Sequence, residues 1–243
     1  MQASVGSHCI ECAKASRPDV RTRARFWHAR QPLLVTMTLI TLNALVFVYT
    51  SVRDTRSIAG RLSEAHIDLS LYGPFLEDGE WYRMITSGFL HYGIIHVGFN
   101  MYLLYMLGQM LEPSIGRVRF VLVYFAGLLG GSAGATILQP DALTAGASGA
   151  VFGLLALAFV GYYLHGTNPL STSIGSLLML NLLLTFLWSN RISVGGHLGG
   201  AAAGALCALA VMAPSYRGVP KWATYVVPIA VMSLSVVATV LAV

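Results

Sequence analysis

Residues 194–213 read VGGHLGGAAAGALCALAVMA, twenty residues whose one basic side chain is His197. At about 1.5 Å per residue, a helix of that length crosses roughly 30 Å of hydrocarbon. Gly196, Gly200 and Gly204 recur at four-residue spacing, a pattern that lets two helix backbones touch. The histidine is out of keeping with the rest. An imidazole in an apolar helix loses its hydration and needs a partner or a polar cavity. The stretch therefore predicts a membrane helix packed closely against its neighbours, with something polar at its beginning.

The rest of the chain agrees. Of its 243 residues, 56% are hydrophobic and 10% charged, and the mean hydropathy is +0.67, so polar groups are too few to coat a soluble globule. Apolar runs near 33–52, 94–112, 118–138, 147–164, 172–189, 194–213 and 223–243 predict seven spans in an all-α integral membrane protein. The fourth run is the weakest, because Gly146, Gly149 and Gly153 dilute it. Small residues four apart also mark Gly127 and Gly131, and Gly130 and Gly134. These rows suit a channel, a transporter or an enzyme equally, although the lack of an inverted repeat weakens the transporter reading.

The net charge of +5 and pI near 9.3 reflect cations beside apolar runs, so they argue orientation in a bilayer rather than nucleic-acid binding. Lys14, Arg17, Arg21, Arg23, Arg25 and Arg30 precede the first span, and with a cytoplasmic N-terminus ten Lys/Arg fall inside against five outside. That distribution predicts a multi-pass protein of the plasma membrane with an external C-terminus. The first thirty residues lack the continuous apolar core of a signal peptide. Cys9 and Cys12, after His8, form one C-x2-C half-site that would hold zinc only if His28 or another chain added ligands, so no metal or other cofactor is expected. Cys207 reads as a small apolar filler.

Four polar residues share one depth if the N-terminus is inside, since spans two, four and six then all enter from the external face. His96 and Asn100 lie early in span two, Ser148 in TAGASGAVFG (144–153) opens span four, and His197 opens span six. The i, i+4 spacing puts His96 and Asn100 on one helix face. The ordinary role of a membrane serine flanked by glycines is packing. A hydroxyl, an imidazole to accept its proton, and an amide with a second imidazole to donate hydrogen bonds are, however, the parts that acyl transfer requires. Amides near the start of span four could add to the donors. No acid sits in a span beside His197, so the hypothesis is a Ser–His dyad. Phe152, one turn after Ser148, either stacks on His197 or makes ordinary core or lipid contact.

These motifs resemble the rhomboid intramembrane serine proteases. GASGAVFG is similar to the family's GxSG nucleophile motif, GGHLGGAAAG to its histidine-glycine base motif, HYGIIHVGFN to its HxxxN element, and EWYRMITSGFLH to its Trp-Arg motif, here with Trp81 and Arg83 separated by Tyr82. The resemblance covers about 33–213. It implies a six-helix core with Ser148 as nucleophile, His197 as general base, and His96 and Asn100 as oxyanion donors. It also implies single-span transmembrane substrates that approach laterally from the bilayer. Many relatives carry tyrosine where Phe152 stands. The domain reading that follows is a basic cytoplasmic segment 1–32, a six-helix catalytic core 33–213, and a linker with an added seventh helix 214–243.

Two other readings compete: a non-catalytic relative that binds transmembrane clients, and a small-solute transporter using the buried polar residues. The sequence carries no HExxH motif, no membrane-embedded acidic pair and no nucleotide loop. Trp81 and Arg83 read as an interfacial anchor and a snorkelling cation, Glu112 as a capping or ion-pair residue, and His91 either as a residue at the mouth of the site or, the plainer reading, as an interfacial histidine exposed to water.

Overall fold

Each apolar run forms a helix. The computed structural model describes Asp19 and residues 33–243, and Leu33–Val243 form one compact unit. The helices are α1 (Leu34–Arg53), α2 (Ile94–Ile115), α3 (Arg117–Leu138), α4 (Ser148–Leu164), α5 (Ser173–Leu187), α6 (Val194–Val211) and α7 (Ala223–Val240). Among the described residues no β-sheet forms, and the sole strand-like pairing is a bridge between Leu71 and Thr144. The expectations for Cys9, Cys12 and the basic residues before the first span lie outside the described residues.

Five of the helices, α1, α2, α3, α6 and α7, are long and apolar enough to cross a membrane, while α4 and α5 are apolar but shorter, at 17 and 15 residues. The protein is a multi-pass membrane protein. α3, α4 and α6 pack on one another at the centre, α7 lies against α3 and α6, and α1 against α2. Leu45, Val48 and Val52 of α1, and Leu183 and Leu187 of α5, remain exposed. Such outward apolar faces suit lipid, where the hydrophobic effect does not press them inward.

Hydrogen bonds that replace water hold the ends of the bundle. Glu112, 1% exposed near the end of α2, accepts from Val35 N at 3.0 Å, Thr36 N at 2.8 Å and Thr36 Oγ1 at 2.6 Å, and Arg117 lies 3.7 Å away. It thus caps a different helix, meeting the orphan amides and positive dipole at the start of α1. Glu112→Ala is expected to lower unfolding stability by about 2–4 kcal/mol, since three donors lose an anionic acceptor together, with Glu112→Gln milder. Denaturant unfolding of the purified variants measures it.

The segment between α1 and α2 carries short helices at Glu64–Leu69, Gly73–Glu77 and Arg83–Thr86. Here the structure corrects the reading of Arg83. Its side chain does not reach out to headgroups but is buried, with Nη1 donating to Ile67 O at 2.6 Å and Ser70 O at 3.0 Å and Nε donating to Glu80 Oε2 at 2.6 Å. Irregular backbone leaves carbonyls without partners, and a guanidinium satisfies several at once. Its cation also lies 4.2 Å from the centroid of Phe75. Bonds from the Tyr82 hydroxyl and Arg83 hold the Glu80 carboxyl below the usual glutamate range. That contribution is therefore present at neutral pH and lost as pH falls through the depressed value. Trp81 remains 39% exposed, as an anchor residue can.

Candidate active site

Ser148 is the first residue of α4, and the chain leading to it is stitched to the segment between α1 and α2. Leu71 and Thr144 exchange backbone bonds of 2.9 Å each, Gly73 N donates to Pro140 O at 2.9 Å, and Gly146 N donates to Ser87 O at 2.9 Å. Ala147 N approaches His91 Nε2 at 3.5 Å. The amides of Gly146 and Ala147 are thus engaged, so any backbone donor to an oxyanion has to come from further into α4. Gly146 adopts φ +134°, and a Cβ there would lie 2.8 Å from His96 Cε1, 2.9 Å from its Nε2 and 3.7 Å from Ser148 Oγ. The bare Cα of Gly146 therefore leaves room for the His96 ring, with the Ser148 hydroxyl beside it.

The spacing of small residues explains how His197 reaches the same place. A methyl group on Gly200 would overlap the Gly149 carbonyl, and one on Gly204 would overlap the Gly153 carbonyl. α4 and α6 are therefore in backbone contact, and Gly131 of α3 lies against both Gly149 and Gly196. Ser148 precedes Gly149 and His197 follows Gly196, so the two flank one glycine-lined contact. Phe152, on the face of α4 that carries Ser148, stacks on His197 with ring centroids 4.1 Å apart and planes inclined by 20°. No hydrogen bond of 3.5 Å or less joins Ser148 to His197 among the described residues. The structure supplies a shared face.

The neighbouring polar groups are also placed. His96 Nδ1 accepts from Tyr92 N at 3.2 Å, so in the neutral ring Nε2 carries the proton, and Nε2 is the atom nearest Gly146 after Cε1. Asn100 is buried, and its Nδ2 donates to His96 O at 3.0 Å, leaving the second amide hydrogen for another acceptor. His197 Nδ1 lies 2.7 Å from Thr185 Oγ1 of α5. The start of α6 is fixed by Ser193, whose hydroxyl accepts from Gly196 N at 3.0 Å, and by Gln139 Oε1, which accepts from Ser193 Oγ at 3.1 Å and Gly195 N at 3.3 Å.

Ser148, His197, His96 and Phe152 are thus brought to one region, with Asn100 one turn below His96. Thr185, Tyr92 and Gln139 were not singled out from the sequence, and nothing in their local pattern distinguishes them from structural polar residues. The expectation for His91 is corrected. It is fully buried, with its ring edge-on to His96 at 5.0 Å between centroids, and its Nε2 faces the backbone before Ser148. The turn at 90–93 folds it beneath the approach to α4, where water would otherwise have to satisfy Ala147 N. Among the described residues no cluster of three or more His, Cys, Asp or Glu could hold a metal ion.

A polytopic helical membrane protein with a serine and two histidines gathered near the starts of α4, α6 and α2 defines the class. The chain belongs to the rhomboid family: the Rhomboid domain model matches residues 78–214, more than half of it. It is 37% identical over 142 residues to the rhomboid protease GluP of Bacillus subtilis, covering 57% of this chain and 28% of that one. Against the putative rhomboid protease YdcA of the same organism, identity is 36% over 140 residues, covering 56% and 69%. Rhomboid-type serine protease 2 of Emericella nidulans is 34% identical over 138 residues, covering 55% and 27%. The chain therefore spans less than a third of GluP and of the fungal protease, and about two thirds of YdcA.

Proposed function

We propose that this protein is an intramembrane serine endopeptidase that hydrolyses peptide bonds in or near transmembrane segments of membrane proteins. The observation that carries the reading is that Ser148 and the His96 ring lie together beside the bare Cα of Gly146, while His197, stacked on Phe152, flanks the same glycine-lined contact of α4 and α6. Ser148 Oγ attacks the scissile carbonyl while His197 Nε2 takes its proton. His96 Nε2–H and the free Asn100 hydrogen donate to the oxyanion that forms. The intermediate collapses as His197 returns the proton to the leaving amine, and water then hydrolyses the acyl-enzyme with His197 again acting as base. Free enzymes often hold such nucleophile–base pairs beyond hydrogen-bonding distance until substrate binds.

The short α4 fits this role. At 17 residues it is about 25 Å long, less than the hydrocarbon thickness, so at least one of its ends lies below a surface, and in this reading it is the end that carries Ser148. Non-helical backbone at that depth is tolerated where protein buries it or a wet cavity adjoins it, and residues 139–147 are bonded to the segment before α2. In this reading the wet side is external, the N-terminus is cytoplasmic, the membrane is the plasma membrane, the substrates are single-span proteins, and 33–213 is the catalytic core with α7 added.

The test is incubation of purified protein in detergent with single-span substrates carrying small, helix-breaking residues, wild type against His197→Ala. Wild type is expected to give two fragments whose masses locate the scissile bond, and His197→Ala none. Cleavage by His197→Ala at the wild-type rate would remove the proposed base. A wild type that neither cleaves nor reacts with a fluorophosphonate at Ser148 would instead mark a non-catalytic binder of membrane clients.

A further inference from the structure

Resting on the assignment of His197 as base, we infer that Thr185 is a positioning residue that holds the His197 ring in the tautomer leaving Nε2 free to accept the serine proton. Thr185 is fully buried on α5, and its hydroxyl has a single hydrogen. That hydrogen is donated to Asn181 O, one turn back on the same helix, at 2.7 Å. Toward His197 Nδ1, also at 2.7 Å, the same oxygen can only accept. The ring nitrogen is therefore the donor, Nδ1 carries the proton of the neutral imidazole, and Nε2 carries the lone pair.

The arrangement is the reverse of that at His96, where a backbone N–H occupies Nδ1 and leaves the proton on Nε2. The two imidazoles are thereby set to opposite tasks, one accepting and one donating, by the partners of their Nδ1 atoms. Phe152 fixes the plane of the His197 ring, and Thr185 fixes the rotation within that plane. A hydroxyl backed by a helix carbonyl also gives Nδ1–H a polar acceptor when the ring gains its second proton. It does so without burying an anion in a low-dielectric site, as an aspartate would. The position of α5 thereby sets the aim of a base carried on α6.

The test compares wild type, Thr185→Val, Thr185→Ser and His197→Ala of the full chain in detergent. Each is labelled with ¹⁵N-histidine and assayed for cleavage, and thermal transitions confirm folding. In wild type, the resonances absent from His197→Ala are expected to report a protonated Nδ1 and an unprotonated Nε2. Thr185→Val, nearly isosteric, should shift them toward the other tautomer and lower kcat about 10- to 100-fold with KM within about twofold, because an imidazole in the wrong tautomer cannot act as base. Thr185→Ser should restore both. A wild-type Nδ1 without a proton, or a folded Thr185→Val with wild-type spectrum and kcat, overturns the inference while His197→Ala remains dead. Full activity in His197→Ala would instead remove the base assignment on which the inference rests.

Discussion

Ser148→Ala is expected to bring cleavage of a single-span substrate down by at least about 10³-fold while leaving the protein folded. The asymmetry follows from where the residue sits. Alanine keeps the Cβ, has the highest helix propensity and suits the first turn of α4, where the loss is one hydroxyl that makes no hydrogen bond among the described residues. The change in unfolding stability should stay within about 0.5 kcal/mol. Chemistry has no such substitute, because the Thr185 hydroxyl that contacts His197 meets Nδ1, not the Nε2 that takes the nucleophile's proton. Ser148→Ala should also lose fluorophosphonate labelling completely. Cleavage that persists at wild-type rate in a folded Ser148→Ala protein would mean that the nucleophile lies elsewhere.

Gly200→Ala should damage catalysis more than stability, in contrast to most mutations in a packed interior. A Cβ at Gly200 would overlap the Gly149 carbonyl oxygen and lie 2.8 Å from the carbonyl carbon and 2.9 Å from the Cα. All three atoms belong to backbone, so α4 and α6 have to separate rather than a side chain turn aside. Overpacking of this kind costs about 1–3 kcal/mol. The separation also carries His197 away from Ser148, and a displacement near 1 Å at reacting groups can cost about 10²-fold in rate. The expected signature is a kcat loss of that order in a protein that still folds. Gly98→Ala is the control, since a Cβ on that face of α2 meets nothing within 4 Å. It should cleave normally and be unchanged or slightly more stable, as alanine favours helix over glycine. Equal damage from both substitutions would show that the α4–α6 contact has no special role.

The sequence was most legible where a property belongs to a single segment. Long apolar runs, the four-residue rows of glycine and the i, i+4 relation of His96 and Asn100 were all readable, and α2, α3 and α6 end within a few residues of the expected limits. It was least legible where a polar residue's partner lies far along the chain. Arg83 read as a surface cation and is buried among loop carbonyls. His91 read as solvent-exposed and lies under the approach to Ser148. Glu112 read as a cap without an identified helix, and the amides it meets are 76 and 77 residues away.

By itself the sequence determined that this chain lives in a bilayer, where its long apolar helices run and which polar side chains those helices must accommodate. The cost of placing a residue in hydrocarbon depends on that residue and its immediate neighbours. Only the tertiary structure decided that Thr185 faces His197, that Tyr92 N faces His96, and that Gly149 and Gly200 bring α4 and α6 into backbone contact. Hydrogen bonds require particular atoms within about 3 Å, and that proximity is fixed by which helix faces which, a relation no local pattern carries.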